Sequence, residues 1–147
     1  MRRTLLMIPL LWLAACASTA FHADPAPAAL RGSDRRYFVE NHGKDDRRLD
    51  RMIATELGKQ GVSVTSGYAT DRPQDIEVLV VYEDRWQWDM TNYLIHMRID
   101  LRDPHTNVLL ATGMSYQTSL ARKNERKVIA GIIAGMFQAS DGNVGTR

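Results

Sequence analysis

The sequence predicts an α+β domain, a two-layer sandwich in which a mostly antiparallel sheet of about four to five strands carries two helices on one face. Three observations lead to this fold class. Apolar and polar residues alternate over residues 92–102 as in a half-buried strand, and apolar residues recur at helical spacing over residues 49–57 and 128–137. Turn-forming residues separate these segments. The length of 147 residues and the 44% hydrophobic content suit a single domain.

The first 15 residues are predicted to be a cleaved signal peptide. A basic start at Arg2 and Arg3 precedes an apolar run of about 12 residues, whereas a bilayer-spanning helix needs about 20. The run closes with Leu13–Ala15 directly before Cys16, which resembles the lipobox of bacterial lipoproteins. That resemblance implies that Cys16 carries diacylglycerol and begins the mature chain. Such an anchor is stable when two or more acyl chains are attached.

Two aspects of this anchor have alternatives. Ala15–Ala17 also fits an ordinary signal peptidase site, and cleavage there would discard Cys16 and release a soluble protein. We favour the lipoprotein, because Cys16 is the only cysteine of the sequence and directly follows the apolar run. Ala17 rather than an aspartate follows the cysteine. By the same resemblance, this favours the outer membrane, with the protein facing the periplasm.

The predicted mature chain has three parts. Residues 16–33 are expected to be the lipidated cysteine and a flexible tether, because this segment is rich in alanine, contains Pro25 and Pro27 and lacks a sustained apolar period. The α+β domain is predicted to span residues 34–139. The remaining residues, 140–147, are predicted to be a disordered tail.

The first half of the domain is predicted to be a strand, a helix and a second strand. Residues 36–40 form the first strand, which an Asn-His-Gly segment ends. Asp45 is a suitable N-cap for the helix that carries the apolar residues of 49–57. Gly58 is expected to end this helix. Residues 62–65 alternate and begin the second strand.

The second half is predicted to contain three strands joined by short connections, which together make a meander. These strands cover residues 76–82, 92–102 and 108–117, and the first of them is apolar enough to lie centrally in the sheet. The middle strand has the clearest alternation, which predicts that five of its residues face the core together: Tyr93, Ile95, Met97, Ile99 and Leu101.

A last helix is predicted over residues 123–139. Gly131 and Gly135 indicate a close approach to a neighbouring element. Basic residues cluster at the start of this helix, where the helix dipole disfavours cations. They serve either surface solubility or contact with an acidic partner or lipid headgroups. The cluster consists of Arg122, Lys123, Arg126 and Lys127.

Three segments carry a resemblance to a known family. Gly43–Asp46, Tyr82–Asp89 and Leu101–Pro104 resemble bacterial lipoproteins of the domain-of-unknown-function 4136 family, and the likeness extends from about Tyr37 to Phe137. It implies a small periplasmic α/β domain behind a lipidated cysteine. The family has no established reaction, so it assigns no catalytic residue. In architecture alone, the layout is also similar to accessory lipoproteins that support envelope transport machines.

Aromatic residues cluster around one strand–turn–strand unit. Trp86 and Trp88 share a face if their strand continues that far, and Tyr93 lies just beyond the turn. These side chains either pack over the sheet edge and helix ends or form a contact surface for a partner, with a sugar-stacking site as a further alternative. Because Trp, Tyr and Arg dominate binding hot spots, the candidate partner surface comprises Arg85, Trp86, Trp88 and Tyr93.

A mixed-charge stripe follows the polar side of the predicted middle strand. It contains His96, Arg98, Asp100 and Arg102 at alternate positions. A stripe of this kind is either a solvated sheet face or a docking face for a periplasmic protein or an anionic headgroup.

Composition and motifs argue against several function classes. Without Arg2 and Arg3, 17 Lys and Arg balance 17 Asp and Glu, so no nucleic-acid partner is expected. The four histidines lack metal-ligand spacing and the one cysteine is assigned to lipid, so neither a metal nor another cofactor is expected. Glu83, Asp84 and Asp89 are close in sequence, but glycoside cleavage needs two acids at a fixed separation in a cleft. No catalytic residue is assigned.

The sequence therefore favours a non-enzymatic, membrane-anchored lipoprotein that acts as a protein-interaction or accessory module of the cell envelope. Its expected partners are the membrane, through the lipid anchor, and an envelope protein. The alternative is a carrier or sensor of an apolar or glycolipid ligand. A carrier requires an apolar cavity between sheet and helices, whereas an interaction module has a filled core and an exposed patch.

Overall fold

A six-stranded mixed sheet with two helices on one face forms the domain in the computed structural model, which describes residues 19–118 and 122–138. The predicted α+β class is confirmed, with more strands than the four to five expected. The strand order is β1-β6-β5-β4-β2-β3. In chain order, the elements are β1 (Thr19–Ala23), β2 (Arg36–Asn41), α1 (Leu49–Gly58), β3 (Ser63–Tyr68), β4 (Val78–Asp89), β5 (Thr91–Arg102), β6 (Leu109–Gln117) and α2 (Glu125–Gln138).

The helix α1 connects two parallel strands, as expected where the chain must cross back over the sheet. β2 pairs in parallel with both β3 and β4. α1 begins at Leu49, after Arg48 has turned the chain with a left-handed backbone (φ 58°). The prediction that Asp45 is the N-cap is therefore wrong. Its carboxylate nevertheless accepts a hydrogen bond from the backbone N–H of Asp50, in the first turn of α1.

The strands β4, β5 and β6 form the predicted antiparallel meander, with β4 inside the sheet. β4 continues to Asp89, seven residues beyond the predicted end at residue 82, so that β4 and β5 make a long hairpin. The register of this hairpin shifts at one point: Arg85 pairs with His96, but Trp86 pairs with Leu94. The pairing thus skips Ile95, as in a β-bulge.

This bulge reverses the predicted alternation at the start of β5, because one extra residue moves the following side chains to the other face. Leu94 joins Met97 and Ile99 in the main core beneath the helices. Its neighbour Tyr93 lies on the opposite face of the strand. The prediction that Tyr93 faces the same side as Met97 is wrong.

The segment predicted as a tether is part of the fold. β1 is an edge strand that pairs antiparallel with β6, and Ala26 is buried and donates its backbone N–H to the carbonyl of Met136 at 2.8 Å. The prediction of a flexible tether over residues 16–33 is therefore wrong for residues 19–33, which pack against an existing strand and helix. The predicted signal peptide, Cys16 and the tail predicted over residues 140–147 lie outside the described residues.

The two helices pack on the same sheet face and contact each other. Each fully buried aliphatic side chain stabilises the fold by about 1.5–3 kcal/mol relative to its exposure. The core between the layers is made of side chains from both helices and from alternate positions of the strands, among them Leu49, Ile53, Leu57, Val78, Val80, Met97, Ile99, Leu101, Ile129, Ile132, Ile133 and Met136. Among the described residues, no helix is long and apolar enough to cross a membrane.

Glycines let α2 approach the sheet closely. A Cβ at Gly113 of β6 would lie 2.6 Å from Cγ2 of Ile132, and a Cβ at Gly135 would lie 2.5 Å from the ring of Phe21. A Cβ at Gly131 would meet no heavy atom within 4 Å among the described residues. The predicted close approach is thus confirmed for Gly135 and wrong for Gly131.

Candidate functional site

The sheet face opposite the helices carries polar and aromatic side chains in rows across the strands. Paired residues in neighbouring strands point to the same side, so the register places Arg85, His96 and Tyr116 in one row. Three further rows, those of Arg98, Asp100 and Arg102, lie beside it. We call this surface the open face; it comprises Glu83, Arg85, His96, Arg98, Asp100, Arg102, Thr112, Met114 and Tyr116.

The carboxylate of Asp100 organises the open face, although the residue is almost fully buried. Its Oδ1 accepts hydrogen bonds from Nε of Arg98 (2.9 Å) and Oγ1 of Thr112 (2.7 Å). Its Oδ2 accepts from Nη2 of Arg98 (2.7 Å) and Nη2 of Arg102 (2.8 Å). Burial alone would raise the pKa of Asp100, but these hydrogen bonds outweigh it and lower the pKa to about 2. Asp100 is therefore charged at neutral pH and fixes both guanidinium groups.

Two clefts follow β4 and β5 along the open face. The cleft beside Asp100 has a volume of about 380 Å³ and is lined in part by Glu83, Arg98, Arg102 and Asn107. The other has a volume of about 660 Å³ and is lined in part by His42, Lys44, Glu83, Asp84, Arg85 and His96. Because charged side chains line both clefts, they suit polar or charged groups better than an apolar ligand.

The distal part of the β4–β5 hairpin extends past the neighbouring strands. The pairing of β4 with β2 ends at Val80, and the pairing of β5 with β6 ends at His96. Residues 86–94 therefore form a two-stranded arm, which we call the hairpin tip. Met90 makes the turn with a left-handed backbone (φ 60°) and is 88% exposed, and Trp88 is 72% exposed.

The hairpin tip is attached to the segment that precedes α2. Arg122 donates from Nη1 to Oγ1 of Thr91 (3.2 Å) and from Nη2 to the carboxylate of Asp89 (3.0 Å). The same guanidinium lies 4.3 Å from the ring centroid of Tyr93, which is itself buried. These contacts fix the position of the hairpin tip relative to the start of α2.

The indole of Trp86 is half-buried at the base of the hairpin tip. The guanidinium of Arg47 lies 3.9 Å from its ring, and its Nε1 donates to Oδ2 of Asp84 at 2.7 Å. Oδ1 of Asp84 contacts Nε2 of His42 at 2.9 Å, while Nδ1 of His42 accepts from the backbone N–H of Lys44. This arrangement requires the proton of neutral His42 to be on Nε2, so the histidine donates to Asp84.

A buried polar network connects β4 to the loop before α1. Tyr82 donates to Oδ2 of Asp45 at 2.6 Å, and Asp50 accepts from Asn41 and, through both oxygens, from Arg48. Burial raises the pKa of Tyr82, and the hydrogen bond to Asp45 raises it further. Burial opposes ionisation of Asp50, but its hydrogen bonds lower the pKa. These groups satisfy one another, so the network has a structural role.

The structure divides the predicted partner surface. Arg85 and Trp88 are exposed, whereas Trp86 is half-buried and Tyr93 is buried. Arg85 belongs to the open face. Trp88 lies in the hairpin tip and points to the opposite face of β4, because odd and even residues of a strand alternate between faces. Cys16 lies outside the described residues. Within residues 19–118 and 122–138, no group of three or more His, Cys, Asp or Glu is arranged to hold a metal ion.

Sequence reasoning missed two exposed residues of these surfaces. Tyr116 is 49% exposed on the open face, and the alternation of its strand would have placed it opposite the buried Ser115. Met90 forms the hairpin turn without the Asn or Gly that usually marks one. The sequence predicts a turn before Tyr93, but no local sequence feature places it at Met90.

Together, these features define an α+β domain with helices on one sheet face, an open polar face and a protruding hairpin. No family model matches the chain, and no curated protein matches it. A PelC variant from Paraburkholderia phytofirmans, solved as a dodecamer, is similar in structure, with 15% sequence identity, a TM-score of 0.57 and coverage of 80% of this chain and 98% of that chain. The PelC dodecamer from the same organism, solved in another crystal form, has 15% sequence identity to this chain and a TM-score of 0.55. The match covers 80% of this chain and 93% of that chain.

A more remote similarity links the chain to a PDZ domain protein from Parabacteroides distasonis. The identity is 10%, the TM-score is 0.45, and the match covers 88% of this chain and 38% of that chain. What the PelC structures share with this chain, at 15% identity, is the fold.

Proposed function

We propose that this chain is an exported bacterial lipoprotein, held at the outer membrane by lipid on Cys16, and that its domain is a non-enzymatic interaction module of the cell envelope. The lipobox-like Leu13–Cys16 sequence supports the anchor. The domain binds an envelope protein on the open face.

The observation that carries this proposal is the row of Arg85, His96 and Tyr116, which crosses β4, β5 and β6 where the hairpin tip begins and which no described helix covers. Tyr and Arg are enriched in protein interfaces and dominate their hot spots. Met114, in the neighbouring row, is another residue type enriched there. A sheet face that carries these residues, and no helix within residues 19–118 and 122–138, is therefore well suited to a protein partner.

The fixed guanidinium groups of Arg98 and Arg102 favour the same function. Asp100 already holds both of them, so little side-chain entropy is lost when a partner approaches.

The charged lining of the two clefts gives no support to the alternative of a carrier for an apolar ligand. Because the structurally similar PelC chains are dodecamers, a second copy of this chain is one of the partners to be tested.

The anchor is tested by labelling growing cells with a fatty acid analogue. The wild-type chain is expected to take up the label, and Cys16→Ala is expected to take up none. A wild-type chain without label would contradict the anchor.

The partner surface is tested by in-cell crosslinking from a photoreactive residue placed at Tyr116. Tyr68, at the end of the edge strand β3, provides a matched control because it is 48% exposed against 49% for Tyr116. A discrete crosslinked band is expected from position 116, absent from position 68 and weakened by Arg85→Glu. The mass of this band distinguishes a second copy of the chain from another protein. Crosslinking from position 68 but not from position 116 would contradict the proposed surface.

A further inference from the structure

We propose that one end of the domain lies against the lipid bilayer and binds anionic phospholipid there. This anchor end consists of the hairpin tip, the start of β1 and the start of α2. The proposal rests on the lipidation of Cys16 and adds a second membrane contact, made by the folded domain itself.

The three parts of the anchor end meet at Gln117, the last residue of β6. Gln117 pairs with Thr19, the first residue of β1. Its side chain donates from Nε2 to the carbonyl of Leu94 (3.0 Å) and accepts at Oε1 from the backbone N–H of Lys123 (2.7 Å). Gln117 thus joins the first strand through its strand pairing, and it joins the hairpin to the segment before α2 through its buried side-chain amide.

The lengths of chain place this end near the membrane. Cys16 precedes Thr19 by three residues, which span at most about 11 Å when fully extended. The hairpin continues from His96, where pairing with β6 ends, to Thr91, and five residues of strand extend roughly 17 Å. Since β1 starts where β6 ends, the hairpin tip extends from the same end of the sheet at which the chain leads back to Cys16. The tip therefore reaches at least as far as the lipid attachment point.

The side chains exposed at the anchor end suit a bilayer interface. Trp88 and Met90 are the large apolar side chains exposed at the hairpin tip, beside the exposed polar residues Gln87, Asp89, Thr91 and Asn92. Tryptophan is enriched at the headgroup level of membranes. Phe21 of β1 is 52% exposed and lines a small cleft with Lys123 and Lys127. Apolar side chains beside basic ones are the composition of surfaces that lie in the interface plane.

The charge of the anchor end matches anionic headgroups. Four exposed cationic residues lie at the start of α2, and the acidic residues near them are Asp89, which pairs with Arg122, and Glu125. The helix dipole disfavours cations at this position, so they do not stabilise α2. Near an anionic leaflet the same residues are attracted to the surface. The four residues are Arg122, Lys123, Arg126 and Lys127.

The chain provides its own fluorescent probe for this contact. Its three tryptophans are Trp12, in the predicted leader, Trp86 and Trp88, so Trp86→Phe leaves Trp88 as the only tryptophan of the predicted mature chain. We would purify this lipidated variant and reconstitute it into mixed phosphatidylcholine–phosphatidylglycerol vesicles with brominated acyl chains. Trp88 emission is expected to fall about twofold relative to vesicles without bromine, because the indole lies at the lipid interface. Trp88→Phe, which retains the half-buried Trp86, is the control and is expected to show little quenching.

A charge variant tests the headgroup contact. Lys123→Gln/Lys127→Gln, made in the Trp86→Phe chain, is expected to reduce the quenching roughly twofold on the mixed vesicles and to leave it unchanged on pure phosphatidylcholine. Arg36→Gln/Lys59→Gln removes the same charge at the opposite end of the domain and is expected to have no effect.

Equal Trp88 emission with and without bromine would overturn the proposal, as would equal effects of the two charge variants. Photocrosslinking of position 90 to a protein together with unquenched Trp88 would also overturn it and would assign the hairpin tip to a protein partner. Fatty acid label on Cys16 is measured in the same samples. An unlabelled chain contradicts the proposed function, whereas a labelled chain with unquenched Trp88 contradicts only the bilayer contact.

Discussion

Asp100 shows how one side chain determines the character of a whole surface. On a sheet face without helices, two neighbouring arginines on β5 would otherwise repel each other and sample many rotamers. The carboxylate of Asp100 accepts from both of them and from Thr112, so three strand positions become one hydrogen-bonded unit. Charge-assisted hydrogen bonds of this kind are about twice as strong as neutral ones.

The first prediction concerns the pH dependence of stability at Asp100. Its folded-state pKa, about 2, lies below the unfolded value of about 4, so its ionised form contributes stability that is present above about pH 4 and is lost as the pH falls toward 2. Asp100→Asn is expected to cost about 2 kcal/mol at pH 7. The difference from wild type should shrink by about 1 kcal/mol at pH 3. Urea unfolding at both pH values measures these differences.

Glu83→Gln is the matched control for this prediction, because it removes the same charge from an exposed neighbour on the open face. Its effect is expected to stay within about 0.5 kcal/mol at both pH values. A difference between wild type and Asp100→Asn that does not change with pH would contradict the role of the Asp100 carboxylate.

At the scale of elements, periodicity predicted most of the sheet and both helices. The mixed-charge stripe of His96, Arg98, Asp100 and Arg102 lies on one face as predicted, because alternation holds along that part of β5. The predicted alternation fails at Tyr93, because the bulge beside Ile95 depends on the cross-strand register rather than on local sequence.

The strand β1 also could not be predicted from local sequence. Its sequence, Thr-Ala-Phe-His-Ala, has no strong β-propensity, and the prolines that follow it are typical of a linker. The edge of β6 and the surface of α2 order this segment, through the pairing with β6 and through Phe21 against Gly135. Tertiary contacts of this type are not encoded in any short window of sequence.

A second prediction uses two glycines that differ in their surroundings. Gly113→Ala would place a methyl group 2.6 Å from Cγ2 of Ile132 and 3.2 Å from Cγ of Met136, which would push α2 away from the sheet. The expected cost is about 1–3 kcal/mol. Gly131→Ala is the same change in the exposed middle of α2, where the new methyl group meets open space. It is expected to stabilise the domain by up to about 1 kcal/mol through helix propensity.

Chemical unfolding of the two alanine variants at neutral pH measures these effects. If Gly113→Ala were as stable as the wild type, α2 would not lie as close to β6 as the structure places it.

At the scale of the whole molecule, the early start of β1 changes how the domain relates to its proposed anchor. A tether from Cys16 to residue 33 would have let the domain turn freely and move away from the lipid surface. With only two residues between Cys16 and Thr19, a lipid on Cys16 would couple the orientation of the sheet to the position of the anchor. Under the proposed anchor, the strands of the open face would run toward the bilayer and a partner would approach this face from the side.

The last prediction tests this coupling by lengthening the connection between Cys16 and β1. Insertion of about ten Gly and Ser residues after Ser18 adds a flexible segment with an end-to-end distance of roughly 18 Å. Because the hairpin tip is then no longer held at the surface by a short connection, its local concentration at the bilayer falls. The measurement is the quenching of Trp88 by brominated lipid in lipidated Trp86→Phe chains. We expect the insertion to decrease this quenching markedly on phosphatidylcholine vesicles. The decrease is expected to be smaller on vesicles that contain phosphatidylglycerol, because Lys123 and Lys127 still attract the domain there. An inserted chain that is quenched as strongly as its parent on neutral vesicles would show that the hairpin tip holds the bilayer without help from the short connection, and would contradict the coupling.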